Sequence, residues 1–251
     1  MGAHGGRRLD LHVAQDLSAD LAIEVLPDAD AVATRGAELL ASYLEQDAAR
    51  GGATLALSGG RTPQSVLERL AKLDLPWDRV SVFQVDERIA PLDHPDRNRT
   101  HAAAALHAPI EHHPASFHWM PVEEANLDSA ARRYADALRA AAGSPPTLGT
   151  VHLGLGADGH TASLFPGSRL VSERKRDVVV TEPYQGRRRM TLTLPALNRA
   201  RRIVWIVTGA DKRTALAGLM AQDARVVGSR VRRDGALVLA DAAAAADVPS
   251  R

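Results

Sequence analysis

The stretch VHLGLGADGHTASLFPGS, residues 151–168, decides the fold that the sequence predicts. Its first five residues have the branched, apolar character that is typical of a buried parallel strand. Three glycines within and after this strand allow the backbone to adopt positive φ and to approach a ligand closely. The stretch therefore predicts a strand and then a loop that presents Asp158 and His160, and we expect the chemistry to lie just past the strand.

Segments with strand character alternate with helical segments along most of the chain. Apolar runs predict strands at residues 21–26, 54–57, 80–85, 151–155, 178–180, 190–193, 203–207 and 236–239. Helical spacing of apolar residues predicts helices at residues 28–50, 64–73, 98–107, 127–142, 212–220 and 241–246. This alternation predicts an α/β fold, a three-layer sandwich around an open, mainly parallel, doubly wound sheet of Rossmann-like type.

The composition favours one domain. With 251 residues, of which 45% are hydrophobic and 24% charged, the chain is long enough to bury a sizeable core. We predict a disordered leader at residues 1–12 and a single domain at residues 13–251. The sequence contains no cysteine, which excludes disulfides, zinc-thiolate sites and cysteine nucleophiles and fits a cytoplasmic protein.

Charge and hydropathy narrow the range of partners. The chain has 31 basic and 30 acidic residues, so its net charge of +1 gives no electrostatic footprint for nucleic acid. No apolar run approaches the roughly 18 residues that a membrane helix needs. We therefore predict neither a nucleic-acid nor a membrane partner, and we expect any anion site to be local.

Four polar clusters follow predicted strands. In a parallel sheet, ligands bind beyond the carboxyl ends of the strands, so these clusters are expected to converge on one site. The clusters are Ser58-Gly59-Gly60-Arg61-Thr62, Asp86-Glu87-Arg88, Gly156-Ala157-Asp158-Gly159-His160 and Gly209-Ala210-Asp211-Lys212. One such cluster is compatible with an ordinary loop, whereas four at strand ends indicate a functional site.

Two of the clusters are candidates for binding an anion. The segment SGGRTP, residues 58–63, combines glycines and hydroxyls at a strand-to-helix junction, where free N–H groups favour a phosphate. A plain strand-to-helix turn is the alternative. Lys212 is one of three lysines among 31 basic residues, which indicates that a compact ammonium is wanted there, although a solvated lysine in a first helical turn remains possible.

His160 is the candidate general base. A neutral imidazole can accept a proton from water near neutral pH, and a nearby carboxylate can fix its orientation and tautomer. Asp158 and Asp86 are both candidates for that carboxylate, and a histidine beside a helix N-cap is the alternative interpretation of His160. No GxSxG motif is present, so hydrolysis would use water directly.

With these clusters in order, the chain resembles the 6-phosphogluconolactonase family. The similar stretches are LALSGGRTP, VFQVDERIAPLDHPDRN, LGLGADGHTASLFPGS, RMTLTLPALNRAR and VTGADK. The resemblance implies hydrolysis of the ring ester of 6-phospho-D-glucono-1,5-lactone to 6-phospho-D-gluconate in the pentose phosphate pathway, with no metal, no cofactor and no covalent intermediate. Arg97 departs from the family pattern, because a small residue often precedes Asn98 there.

The resemblance also implies roles for individual residues. His160 would activate water, while Arg88, Arg189 and Lys212 would bind existing or developing negative charge. The catalytic candidates are therefore His160, Asp158 and Arg88, and the substrate-binding candidates are Ser58, Gly59, Gly60, Arg61, Thr62, Asp86, Arg189 and Lys212. The predicted partner is a phosphorylated sugar lactone, and the protein is expected to be a monomer or a weak homodimer.

Two other functions remain open at this point. The related glucosamine-6-phosphate isomerases/deaminases carry a glutamate, which assists ring opening, just before the proline that follows their DGH element. Phe165 stands at that position here, and this disfavours the isomerase. A non-catalytic sugar-phosphate binding protein would keep the phosphate loop and Lys212 but would have no use for His160.

Overall fold

The computed structural model describes residues 21–106 and 116–249. The predicted leader, residues 1–12, lies outside these residues. The strands are β1 (Ala22–Leu26), β2 (Ala53–Leu57), β3 (Val80–Gln84), β4 (Asp86–Arg88), β5 (Ser116–His118), β6 (Thr150–Leu153), β7 (Val178–Val180), β8 (Arg189–Leu192), β9 (Arg202–Val207) and β10 (Ala236–Asp241). The helices are α1 (Ala29–Ala48), α2 (Arg61–Leu70), α3 (Asn98–Leu106), α4 (Leu127–Ala142), α5 (Leu194–Asn198), α6 (Arg213–Met220) and α7 (Ala242–Ala245).

Within the described residues, seven strands form one open sheet in the order β1-β10-β9-β6-β2-β3-β5, and all pairs are parallel. Leu55 and Leu57 of β2 pack into the core layer that contains α1, α2 and α3. Ala56 points the other way, into the layer that contains α4, α6 and α7. Because helices cover both faces, the central strands are buried and mainly apolar. The predicted three-layer α/β sandwich is confirmed.

The strand order places a crevice between β2 and β6. From β2 the chain continues outward to β3 and β5, and it then returns to β6 before continuing to β9 and β10 on the other side. The connections that leave these two adjacent strands therefore diverge, which opens a gap at their carboxyl ends. The loops after β2 and β6, which carry residues 58–62 and 154–160, flank this gap.

A small antiparallel sheet, β4-β8-β7, lies beside the main one. Strands β7 and β8 were predicted at residues 178–180 and 190–193, whereas β4 and the separate antiparallel pairing were not. Asp86-Glu87-Arg88 was interpreted only as a polar cluster at the end of a strand, yet it forms β4 and pairs with β8. The charges of these three residues hide the strand pattern. Their strand conformation depends instead on pairing with β8, which lies about 100 residues further along the chain. This sheet packs its apolar residues, including Val179, Met190 and Leu192, against the core layer of α4.

Some predicted boundaries were wrong by a few residues. Helix α2 begins at Arg61 rather than at residue 64, so Pro63 lies within its first turn, where the missing N–H costs nothing. Lys212 ends a 3-10 turn, Ala210–Lys212, and helix α6 begins one residue later. None of the helices in residues 21–106 and 116–249 has both the length and the apolar character required to cross a membrane.

Candidate active site

A cleft of about 670 Å³ opens at the carboxyl ends of the central strands. All four predicted clusters contribute to its walls. The predicted residues that line it are Ser58, Gly59, Gly60, Thr62, Asp86, Arg88, His160, Arg189 and Lys212. Arg61 is the first residue of α2, beside this wall, and Asp158 contacts His160. The structure therefore brings together residues that are up to 154 positions apart in the sequence.

His160 is held by Asp158 through a tight turn after β6. The backbone N–H of Gly156 donates to the carbonyl of His160 at 2.8 Å, which closes the turn. A Cβ atom at Gly156 would lie 2.1 Å from His160 Nδ1, so only glycine leaves room for the imidazole. His160 Nδ1 lies 2.5 Å from Asp158 Oδ1. Because a carboxylate only accepts hydrogen bonds, Nδ1 carries the proton and the neutral ring keeps Nε2 as its acceptor.

Asp158 remains ionised near neutral pH. Partial burial raises the pKa of its carboxyl, but hydrogen bonds from Tyr184 and His160 together outweigh burial and bring the pKa below its ordinary value. Tyr184 donates from its hydroxyl to Asp158 Oδ2 at 2.7 Å. The pair is thus a charged carboxylate with an imidazole hydrogen-bonded to it, which fixes the orientation of the imidazole.

Asp86, the other candidate partner of His160, has different contacts. It is buried, and its Oδ2 accepts a hydrogen bond from Ser163 Oγ at 2.5 Å. Asn98 Nδ2 donates to the backbone carbonyl of Asp86 at 2.9 Å. Burial raises the pKa of Asp86, while the Ser163 hydrogen bond and the charge of Arg189 oppose that shift. The geometry therefore assigns the His160 contact to Asp158. Asp86 instead interacts with Ser163 and with the charge of Arg189.

The loop after β2 leaves backbone N–H groups for an anion. Ser58 Oγ donates to the carbonyl of His152 at 3.0 Å, and Thr62 Oγ1 lies 2.6 Å from Thr208 Oγ1. These hydroxyls are engaged by the protein, so the ligand-binding capacity of the loop comes from the first turn of α2. A helix N-terminus of this kind attracts anions through its free N–H groups and its dipole.

Gly59 is required by a contact that the sequence did not reveal. A Cβ atom at this position would lie 1.9 Å from Asn98 Oδ1, so the loop after β2 closes directly onto the start of α3. Asn98 also lines the cleft. Its place in the stretch that resembles the family was the available signal, but its own chemistry gave no reason to select it.

Two arginines line the cleft and form what we call the arginine wall. Arg88 and Arg189 are directly paired across β4 and β8. Arg88 donates from Nη1 to the carbonyl of Asp96 at 2.8 Å, which fixes the direction of its guanidinium. Arg189 is 8% exposed, lies over the ring of Phe165 at 5.2 Å, and its Nε has no hydrogen-bond partner among the described residues. Both guanidiniums retain donors for an anionic ligand.

Lys212 completes the site from the loop after β9. Its Nζ lies 3.1 Å from Asp211 Oδ2, and its side chain is 26% exposed. The contact between Thr208 and Thr62 joins this loop to the start of α2, and both loops line the cleft. An ammonium and the free N–H groups of a helix start both attract anions.

Comparisons with known proteins place the chain in a family. The model of the family described as glucosamine-6-phosphate isomerases/6-phosphogluconolactonase matches residues 27–239. The chain belongs to this family. Within the family, the 6-phosphogluconolactonase of Synechocystis sp. is 40% identical over 188 residues, which cover 70% of this chain and 75% of the relative. The 6-phosphogluconolactonase of Mycobacterium tuberculosis is 36% identical, and the match covers 91% of this chain and 98% of the relative.

Solved structures of family members have the same fold. The 6-phosphogluconolactonase of Thermotoga maritima has a TM-score of 0.77 at 26% identity, covering 88% of this chain and 98% of that one. The 6-phosphogluconolactonase of Trypanosoma brucei has a TM-score of 0.79 at 25% identity, covering 92% and 100%. A monomeric glucosamine-6-phosphate deaminase also matches, with a TM-score of 0.77 at 18% identity, which shows the shared fold alone.

Sequence reasoning did not find Tyr184, and it named Glu87 only as a member of the cluster at residues 86–88, without a role. Tyr184 lies 24 residues from His160 and belongs to the connection between β7 and β8, so no local pattern links the two. Glu87 is fully buried and accepts from the backbone N–H groups of Asn98 and Arg99 at 2.8 and 2.9 Å, which caps α3 and orients β4. Glu87 therefore supports the site from behind.

Proposed function

We propose that this protein hydrolyses 6-phospho-D-glucono-1,5-lactone to 6-phospho-D-gluconate. The observation that carries the proposal is the His160 and Asp158 pair, whose free Nε2 is on the same cleft as an anion-binding helix start and three cationic side chains. Relatives named 6-phosphogluconolactonase at 36–40% identity support the same activity. The reaction needs an activated water, a site for a developing oxyanion and a binding site for phosphate.

In the proposed reaction, His160 acts as the general base. Its Nε2 takes a proton from water while the water oxygen bonds to the lactone carbonyl carbon, so the carbonyl oxygen gains the negative charge. The tetrahedral intermediate then collapses, the bond to the ring oxygen breaks, and that oxygen receives the proton from His160. Asp158 stabilises the imidazolium between these steps. General base catalysis of this kind contributes roughly 10²–10⁴-fold.

The cationic residues take separate roles in this proposal. Arg88 and Arg189 stabilise the oxyanion, because both guanidiniums face the cleft beside His160. Lys212 and the first turn of α2 bind the phosphate, which orients the lactone so that its carbonyl meets the water. Ser58, Gly59, Gly60, Arg61 and Thr62 supply this turn and the loop before it, and Asp86 orders the arginine wall through its charge.

The isomerase alternative lacks its acid. Phe165 occupies the position where the related isomerases carry glutamate, and its ring is stacked on Tyr184 with the centroids 3.6 Å apart. An apolar ring there offers no proton for opening a sugar ring. A purely binding protein is also disfavoured, because relatives named 6-phosphogluconolactonase share 36–40% identity with this chain and binding alone does not require a base such as His160.

The protein is further proposed to work in the cytoplasm as one domain, residues 13–251 after the leader at residues 1–12, and as a monomer or a weak homodimer. The shared sheet supports the single domain, since the two core layers lie on its opposite faces. Light scattering after gel filtration, at several concentrations, would measure the mass. A concentration-independent tetramer would contradict the proposed state.

The activity is tested directly with purified protein. We expect the protein to hydrolyse the lactone faster than its spontaneous rate, measured by the proton that is released with 6-phosphogluconate. We expect no release of ammonia from glucosamine 6-phosphate. A buffer blank at the same pH is subtracted, because the lactone hydrolyses unaided. Ammonia release without lactone hydrolysis would establish the isomerase instead, and binding without turnover would establish the binding protein.

A further inference from the structure

Tyr184 contacts the proposed base through Asp158. Its hydroxyl donates to Asp158 Oδ2, and Asp158 Oδ1 in turn contacts His160 Nδ1. We infer that Tyr184 is a positioning residue that locks Asp158 and thereby holds His160 with Nε2 directed at the attacking water. The inference rests on the proposed lactonase function and adds a residue to the mechanism.

A rigid turn presents Tyr184. The connection between β7 and β8 is closed by two backbone hydrogen bonds between Tyr184 and Arg187, at 2.9 and 3.2 Å. The two residues between them, Gln185 and Gly186, have φ of 50° and 77°. Positive φ at both central positions is the geometry of a tight two-residue hairpin turn, which matches the twist of the flanking strands. The small sheet therefore fixes the backbone of Tyr184.

The ring of Tyr184 is also fixed. It stacks on Phe165, with the ring planes 14° apart, and Phe165 lies five residues after His160 on the same loop. The guanidinium of Arg189 lies 5.7 Å from the Tyr184 centroid, on the ring face. A ring held by an aromatic stack and a cation has little freedom to move its hydroxyl. The hydroxyl therefore acts as a fixed donor.

Both oxygens of Asp158 are engaged as a result. Oδ1 accepts from the backbone N–H of His160 at 3.2 Å and contacts Nδ1 at 2.5 Å, while Oδ2 accepts from Tyr184. Asp158 is partly exposed. Without the hydrogen bond from Tyr184, its carboxylate would be free to rotate, and water would replace His160 as its hydrogen-bond partner. Outer partners of this kind orient the inner group and are worth about 10-fold in activity.

Three ionisable side chains surround the base among the described residues. Asp158 contacts His160, Tyr184 contacts Asp158, and the guanidinium of Arg189 lies over the Tyr184 ring. The hydrogen bond to Asp158, together with some burial, raises the pKa of Tyr184, so the hydroxyl keeps its proton at neutral pH. Removing that hydroxyl takes away a hydrogen bond that stabilises the Asp158 carboxylate, so the carboxylate interacts more strongly with the positive charge that His160 gains in the proposed reaction.

The test compares Tyr184→Phe, which keeps the ring stack, with the wild-type enzyme. We expect kcat for the lactone to fall about 10-fold, KM and product inhibition to stay within about twofold, and the acidic limb of kcat/KM to move to higher pH. Tyr43→Phe is the matched control, because Tyr43 lies on α1 against Arg202 and away from the cleft. It should behave as wild type.

The outcomes separate this inference from the proposed function. A wild-type protein without lactone hydrolysis overturns the proposed function itself. An active wild type with a Tyr184→Phe variant that retains its kcat and its acidic limb overturns the role of Tyr184. If kcat falls but the acidic limb of the kcat/KM profile does not move, Tyr184 has a merely structural role, and the inference is overturned as well. Imidazole ¹⁵N shifts of His160 in the folded variant report the tautomer independently of turnover, and an unchanged titration contradicts the inference.

Discussion

Arg88 and Arg189 face each other across the antiparallel pair β4 and β8, so two cationic side chains occupy directly opposite positions. Like charges in such a pair are destabilising, because their Cβ atoms lie only about 5 Å apart. The buried carboxylate of Asp86 offsets part of this repulsion, since its charge acts on both arginines. The remaining positive charge is directed into the cleft, where an anionic ligand or transition state would relieve it.

The first prediction concerns Arg88. Arg88→Gln removes one oxyanion donor and should lower kcat by about 10²–10³-fold, the usual cost of losing such a donor, with a smaller change in KM. Steady-state hydrolysis of the lactone measures both constants. Arg79→Gln is the control, since Arg79 lies just before β3, at the opposite end of the sheet. A rise in KM at constant kcat would place Arg88 in ground-state binding.

The second prediction concerns Lys212. If its ammonium binds the phosphate, Lys212→Ala should strongly weaken binding of 6-phosphogluconate but leave the slower turnover of unphosphorylated gluconolactone nearly unchanged. Calorimetry with the product and kinetics with both lactones provide the comparison. Lys175→Ala, a lysine outside the cleft, should change neither. Equal losses on the two lactones would instead indicate that Lys212 acts on the oxyanion.

The third prediction concerns His160. His160→Ala should lower kcat by about 10²–10⁴-fold with little effect on product affinity. In the wild type, kcat/KM should fall at low pH along one ionisation, because protonation of His160 removes the base while the lowered pKa of Asp158 keeps that carboxylate charged. His101→Gln, on α3, is the control. Near-full activity of the alanine variant after background subtraction, or an acyl-enzyme in a mass spectrum, would disprove water activation by His160.

The fourth prediction concerns Arg97, the residue that departs from the family pattern. Its side chain is 1% exposed, and its Nε lies 3.1 Å from Glu87 Oε2, which is fully buried. Removing one partner of a buried ion pair leaves the other charge unpaired, so Arg97→Met should lower the free energy of unfolding by about 3–5 kcal/mol. Urea denaturation, followed by circular dichroism, measures this.

The matched controls for Arg97 separate burial from charge. Arg169→Met breaks the exposed pair with Glu182 and should change stability by less than about 1 kcal/mol. The double variant Arg97→Met/Glu87→Gln should recover part of the loss, because it removes the unpaired charge. The recovery is incomplete because an amide has one acceptor oxygen and keeps only one of the two contacts with the N–H groups of Asn98 and Arg99. Equal stabilities of the single and double variants would show that lost packing, not the unpaired charge, is responsible.

The sequence predicted the main sheet because its strands are buried on both faces and therefore apolar. The convergence of residues 58–62, 156–160 and 209–212 was also predictable, because the carboxyl ends of parallel strands meet at one edge of the sheet. The small sheet was not predictable, because Asp86, Glu87 and Arg88 carry charges that serve the site and its support. Their strand conformation depends on pairing with β8, which no local pattern reveals.

The partner of His160 shows a second limit of sequence-based reasoning. Asp86 and Asp158 both follow strands beside the cleft, so the sequence left both as candidates. Which of the two carboxylates contacts His160 depends on the direction of the Asp158 side chain within a turn that is closed by Gly156. It also depends on Ser163, which donates a hydrogen bond to Asp86. Tyr184 was invisible for a related reason, because its position is set by a hairpin turn and an aromatic stack rather than by its neighbours in sequence.

The last prediction concerns His152, a histidine in the middle of β6. Its side chain is buried, and neither ring nitrogen has a hydrogen-bond partner within the described part of the chain. Burial lowers its pKa from 6.5 to about 4. The folded protein therefore keeps the ring neutral where the unfolded chain takes up a proton, so stability is lost as the pH falls below 6.5.

The expected loss from His152 is about 2 kcal/mol in the free energy of unfolding between about pH 7.5 and about pH 5. His152→Leu should remove this part of the pH dependence, because leucine has no proton to bind in either state. Urea denaturation at the two pH values, with His101→Gln as a control that keeps the dependence, measures the difference. If His152→Leu loses as much stability on acidification as wild type, the ring is protonated inside the fold and a buried partner must stabilise its charge.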